Sequence, residues 1–363
     1  VELPWMDSCK ALLHGYLSGQ AGALAMADVI TGTVCPSGKL SESWPMAYSD
    51  VPNARIYPGL ERTAEYREGP FIGYRYYATA GVKVRFPFGF GLSYTTFSYS
   101  DLVAEGGAVT FTITNTGAVA GAEVAQVYVS KPQSDLFRPA LELKGFAKVF
   151  LQPGEKRTVS IPLDDKAFRY FNIKTHRWET EGGEYEILVG PSSVELPLTA
   201  RVEVAGTDAP IPYERAKLPS YYSGQVDAVS DGEFEALLGR PIPPAKWDRS
   251  APLDMNDTFS QLCYAKGWTG RLVYRILCSK KAKAEASGHP DLNILFIYNL
   301  PFRGVGKMMG SMVDQRMSAA LLEIFNGHFF RGTGHLISAY FRKNKAAKAT
   351  AAALAQAGAE EHR

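Results

Sequence analysis

Cysteine is scarce in this chain, and what little there is carries no pattern. The four cysteines among 363 residues, Cys9, Cys35, Cys263 and Cys278, lie far apart and never in C-x-x-C spacing. That excludes a disulfide framework and a cysteine zinc site, and leaves reduced, partly buried thiols with a lean toward the cytoplasm. No apolar run reaches the roughly 18 residues that a transmembrane helix requires, so no membrane span is expected. The net charge is small, +2 for the whole chain, and gives no reason to expect a nucleic-acid partner. Catalytic signatures are missing as well: there is no G-x-S-x-G elbow, phosphate-cradling glycine loop, H-E-x-x-H pair or dinucleotide fingerprint. His328 and His335 stand seven apart with no acidic or cysteine residue beside them in sequence, which reads as a helix surface and not a metal site. No cofactor is implied. The chain starts at Val1, without methionine or signal peptide, and reads as a piece of a longer protein.

What is present is ordinary globular material. Hydrophobic content is 46% and charged content 21%, enough for two or three domains. Charge is uneven along the chain. From Tyr264 onward there are fifteen Lys and Arg against six Asp and Glu, so this region carries +9 and the remainder −7. A solvated basic helix face accounts for that; contact with acidic lipid or with another subunit is the weaker alternative.

Patterning divides the chain into four parts. Residues 1–95 read as the closing portion of an α/β domain: a strand end at Val1–Pro4, helices over Lys10–Leu17 and Ala21–Val34, and a strand at Lys39–Trp44 stopped by Pro45. These strands are too few for a sheet of about five, so the others are expected from upstream or from a partner. Residues 96–206 alternate apolar and polar in runs such as VTFTITN (109–115), EVAQVYVS (123–130) and EYEILVG (184–190), separated by glycine and proline turns. Six or seven such runs indicate an antiparallel β-sandwich. Asp164-Asp165 falls in one of its turns, where aspartate bonds local backbone. Residues 207–250 read as an extended linker with one short helix, Asp231–Leu238, capped by Ser230 with Glu233 three residues on. Residues 251–363 are mainly helical, with apolar spacing over Gln261–Lys283 and Ser311–Asn326, a break at Asn299–Gly306, and a frayed or disordered end over Lys343–Glu361.

Between the first two parts lies FPFGFGLSYTTF (86–97). It is too aromatic and too rich in glycine for a plain linker, and reads as a packed joint between domains. Upstream, Glu68-Gly69 and Gly73-Tyr74-Arg75-Tyr76-Tyr77 form the one polar–aromatic cluster suited to a sugar. The candidates for substrate contact are Glu68, Tyr74 and Arg75. The structural alternative is that Arg75 pairs with a buried acid and the tyrosines pack the joint.

At these residues the chain resembles the C-terminal part of glycoside hydrolase family 3, the β-glucosidase and β-xylosidase family. The similar segments are Pro4–Pro45, YREGPFIGYRYY (66–77), FPFGFGLSYTTFSYS (86–100), NTGAVAGAEVAQVYV (115–129), RPALELKGFAKVFLQPGE (138–155) and GGEYEILVGPSS (182–193). Residues 233–243 resemble an extension found in some bacterial members. The resemblance implies a multidomain order: a (β/α)8 barrel, an α/β sandwich domain, then a fibronectin type III-like domain. This chain would hold the end of the second, all of the third and a helical extension. It further implies a retaining hydrolase of terminal β-linked sugars, with a small saccharide or β-glycoside as substrate and the barrel as a missing partner. Homo-oligomers stay open. The family's nucleophilic aspartate on the barrel and its acid/base glutamate in a G-E-G-x-D-R-like loop match nothing here, so the segment alone is expected to be inactive. A non-catalytic carbohydrate- or protein-binding sandwich module is the competing reading.

Overall fold

The computed structural model describes residues 2–105, 107–308 and 312–361. They form two compact units, residues 1–246 and 247–363. Val1 and Ser311, which begin two of the expected elements, lie outside the described residues.

The first 95 residues hold little regular structure. Helix α1 covers Gly22–Ile30, strand β1 Trp44–Pro45, helix α2 Tyr74–Ala80 and strand β2 Val84–Phe86. Strands β1 and β2 pair antiparallel, with Trp44 opposite Phe86. The expected helix over Lys10–Leu17 is absent, and only a turn of 3₁₀ helix at Met6–Ser8 precedes it. So short a segment, with Gly15 inside it, lacks the length to be helical without packing. The expected strand Lys39–Trp44 shrinks to its last residue plus Pro45, and most of the GYRYY cluster winds into α2.

The sandwich is formed as expected. One sheet has the order β3-β4-β7 (Phe97–Glu105, Ala108–Asn115, Lys156–Pro162), and the other β11-β10-β5-β6 (Leu198–Val204, Gly183–Gly190, Gly121–Ser130, Glu142–Leu151). Alternation fixes which face is buried. In β4, Val109, Phe111, Ile113 and Asn115 point inward and the threonines between them are half-buried. Their partners in the other sheet include Val127, Tyr185, Ile187 and Val189. Asn115 is satisfied on every side: its Oδ1 accepts from Thr95 Oγ1 and Gly117 N, and its Nδ2 donates to Val119 O and Leu151 O. A short hairpin, β8 (Arg169–Asn172) with β9 (Arg177–Thr180), projects from the sandwich and has no counterpart in the sequence reading.

Residues 207–246 are not an extended linker. Helices α3 (Pro219–Ser223) and α4 (Asp231–Leu238) bury Leu218, Tyr221, Val226, Val229 and Phe234 against Phe71, Tyr76 and Tyr77 from the α2 region. The partners lie well over a hundred residues apart in sequence, beyond the reach of local pattern. The cap on α4 is as expected, with Ser230 Oγ accepting from Glu233 N.

The second unit is helical: α5 (Trp268–Ala286), α6 (Leu292–Asn299), α7 (Phe302–Met308), α8 (Gln315–Phe325) and α9 (Phe329–Glu361). Its core gathers Trp247, Leu253, Leu262, Phe302, Leu322 and Phe325. The break at Asn299–Gly306 narrows to Leu300-Pro301, and α9 runs straight through the stretch expected to fray. His335 does have an acidic neighbour, Glu323, 2.9 Å away across the α8–α9 turn. No group of three metal-ligating side chains occurs among the described residues, and none of their helices is long and apolar enough to cross a membrane.

Candidate functional site

The joint is built first by glycine. Gly89 has φ +82°, and a Cβ there would collide with the Gln126 amide. That close approach lets Ser193 N donate to Phe88 O and Gly89 N donate to Leu40 O, while Gln126 Nε2 donates to Pro191 O. Phe86 packs edge-on against Trp44 and tilts over Phe90. An ion pair closes the joint: Lys39 Nζ lies 3.0 Å from Glu123 Oε1, which also accepts from Tyr99 Oη at 3.1 Å. Glu123 is buried, and burial together with its negative charge drives the Tyr99 hydroxyl well above its ordinary value.

Of the three candidate residues, Tyr74 and Arg75 stand at this joint. Tyr74 is part of it: its ring lies 4.8 Å from Phe88 and 5.7 Å from Tyr128, and its hydroxyl accepts from Leu143 N at 2.8 Å. Arg75 lies over the Tyr74 ring at 5.8 Å, and its Nε is buried without a hydrogen bond. The packing alternative thus describes Tyr74, while Arg75 rests on an aromatic ring and not on a buried acid. Glu68 is 5% exposed and its Oε2 has no hydrogen-bond partner. Burial pushes its carboxyl above the ordinary 4.5. The loop around it is clamped onto α3 and α4: Tyr221 Oη donates to Arg67 O, and the Arg67 guanidinium pairs with Glu65 at 2.6 Å and Asp231 at 2.7 Å.

A second group of residues went unread in the sequence. The β8–β9 register sets Phe171 opposite Trp178 and Arg169 opposite Thr180, so Arg169, Phe171 and Trp178 share one face of the hairpin. That face, with Tyr170, lines an open cavity of about 370 Å³ together with Phe137, Arg138, Glu142, Tyr213 and others. Phe171 and Trp178 meet edge to face, 5.6 Å between centroids, yet stay 46% and 61% exposed. The Arg169 guanidinium lies 5.8 Å from the Trp178 ring and pairs with Asp165 at 3.1 Å. In the sequence the two strands are RYFN and RWET (169–172, 177–180), aromatic-bearing four-residue runs on either side of a short turn.

The fold defines a multidomain class: an antiparallel two-sheet sandwich joined through an aromatic, glycine-rich seam to a partial α/β segment, a topology that by itself assigns no chemistry. Comparison makes this specific. Residues 1–94 match the glycosyl hydrolase family 3 C-terminal domain, and residues 123–193 match the fibronectin type III-like domain. The chain thus carries a glycosyl hydrolase family 3 C-terminal domain, then a fibronectin type III-like sandwich, then helices. It is 43% identical over 247 residues to a thermostable β-glucosidase B of Acetivibrio thermocellus, covering 66% of this chain and 32% of that protein. It is 48% identical over 208 residues to an exo-α-(1→6)-L-arabinopyranosidase of Bifidobacterium longum, covering 56% of this chain and 28% of the relative. Among solved structures it resembles the Bifidobacterium adolescentis family 3 β-glucosidase, at 41% identity and TM-score 0.55 over 62% of this chain and 35% of that one. The chain therefore spans about a third of the length of the curated relatives it matches.

Proposed function

We propose that this chain is the scaffolding C-terminal segment of a retaining β-glycosidase of β-glucosidase type, acting on terminal β-linked sugars, whose two catalytic carboxyl groups both lie upstream. Retaining hydrolysis needs two carboxyl groups about 5–5.5 Å apart, one attacking the anomeric carbon and one protonating the leaving oxygen. The observation that carries the reading is the unbroken order of family segments across the joint, set against a length of about a third of the relatives'. On this reading the chain completes the α/β domain and anchors it rigidly to the sandwich through Lys39–Glu123 and the Phe86–Phe90 seam. Glu68, Tyr74 and Arg75 support the wall beneath the sugar site; direct substrate contact by them is the finer form of the same proposal. Domain limits at 1–95, 96–206, 207–250 and 251–363 belong to it too, with the third region as a buttress.

An upstream extension of the coding sequence is the test. A chromogenic β-glucoside is offered to the 363-residue chain and to an extended form. Turnover is expected only from the extended form, and it should vanish when an upstream carboxylate is neutralised. Enzyme-like turnover by the shorter chain, lost on neutralising one of its own Asp or Glu residues, would overturn the proposal.

A further inference from the structure

The cavity beside the β8–β9 hairpin has no part in the scaffolding role, and its chemistry is specific. One wall is aromatic, with Phe171 and Trp178 held edge to face and left half open. Two guanidinium groups enter it. Arg169 keeps 27% of its side chain exposed and Arg138 11%. Arg138 Nη2 donates to Phe168 O at 3.3 Å, and the Nε of each arginine makes no hydrogen bond. An acceptor, Glu142, stands at the rim 3.4 Å from Lys144.

We propose that this cavity is a saccharide-binding site for a short, neutral oligosaccharide. A sugar ring has an apolar C–H face and a rim of hydroxyls that both donate and accept. Trp178 offers a flat apolar surface to the first. Arg169, Arg138 and Glu142 offer donors and an acceptor to the second. A purely apolar ligand would cover the solvent-exposed parts of Arg169 and Glu142 without bonding them, which is unfavourable. An anion would meet arginines already paired with Asp165 and approached by Glu181 at 3.5 Å. The volume of about 370 Å³ is at the lower end of the usual range for small-ligand clefts, about 300–1,000 Å³, which suits a short saccharide and not a long chain. The site is framed by the β8–β9 hairpin on one side and by Tyr213 and Leu237 on the other.

This binding is independent of hydrolysis, so it stands or falls apart from the catalytic reading. The experiment is a titration of the full 363-residue chain with cellobiose and with cellotetraose, followed by calorimetry and tryptophan fluorescence. Saturable binding is expected. Trp178→Ala should weaken it about ten-fold, a loss of about 1.4 kcal/mol. Arg169→Gln, which removes the guanidinium but keeps a neutral hydrogen-bonding head, should weaken it several-fold, and Trp268→Ala on helix α5 should leave it unchanged. No saturable binding of either sugar would overturn the proposal. So would equal affinity in wild type, Trp178→Ala and Arg169→Gln, each checked for an unchanged circular-dichroism spectrum. Self-association of the chain, abolished by Trp178→Ala with no sugar response, would assign the hairpin to a protein interface and overturn it as well.

Discussion

The β-sandwich and the segment before it treat apolar side chains differently. In the sandwich, the inward residues of β4, β5 and β10 are sealed between two sheets, and Val109, Phe111, Ile113, Val127, Ile187 and Val189 all fall within one core. In residues 2–95, by contrast, helix α1 turns Leu24 and Ile30 outward at 68% and 71% exposure, and Leu17, Tyr66 and Leu92 are also exposed. We propose that the α1 face is covered by the part of the protein upstream of this segment, a proposal that the last test below decides. The two regions thus differ in how they use apolar side chains: the sandwich seals them between its own two layers, while the preceding segment leaves several of them uncovered. What joins them is not a flexible hinge but a seam of aromatic rings around Gly89 and a buried Lys39–Glu123 pair.

The largest break in this contrast should come from the sandwich core. Phe111→Ala removes a ring that is fully buried between the sheets and 6.3 Å from Tyr99. A cavity of that kind costs about 3–5 kcal/mol. The urea midpoint of the first unit should fall accordingly, with little change in slope if the unit unfolds as one.

A smaller effect, with a sign that depends on pH, is expected at Glu68. Burial raises its carboxyl above the ordinary 4.5, so the folded form holds the proton to higher pH than the unfolded chain does. Its stabilising contribution is therefore complete below pH 4.5 and declines as pH rises from there. Glu68→Gln removes the charge without changing the volume. At pH 7 it should raise stability by about 1 kcal/mol, the scale set by a buried unpaired group, and the gain should disappear below pH 4.5. Thermal midpoints of both proteins across pH 4 to 8 check this; a constant difference over that range would contradict it.

The same contrast explains what could be read from the chain beforehand. The strands of VTFTITN and EYEILVG were legible because one buried face imposes strict alternation, and the Ser230–Glu233 cap because its geometry is local. The wedge of Tyr221 and Phe234 against Phe71 was not, since only the closed fold brings residues from the two ends of the first unit together. The candidate site divides along the same line. Glu68, Tyr74 and Arg75 stood out by composition, but their surroundings include Leu143 and Tyr221, far away in sequence. The Arg169–Trp178 face escaped because two four-residue strands are too short for a period to show. Lys10–Leu17 erred the other way, with helical spacing but no partner surface in the chain to hold a helix.

The smallest expected effect is the one that sharpens the comparison most. Leu24→Ser on α1 removes an apolar side chain of the same order of size as many in the sandwich core, but one that is 68% exposed. In the 363-residue chain it should shift stability by no more than about 0.5 kcal/mol, as surface substitutions do, with a small share of that from lower helix propensity. In an upstream-extended protein the same change should cost several times more, because burial of a leucine side chain is worth about 1.5–3 kcal/mol. Denaturant titrations of the four proteins, with and without the extension and with and without the substitution, measure the difference. Equal small effects in both backgrounds would mean that the face of α1 is a solvent surface after all, and the distinction between a self-sealed sandwich and a partner-dependent segment would lose its main support.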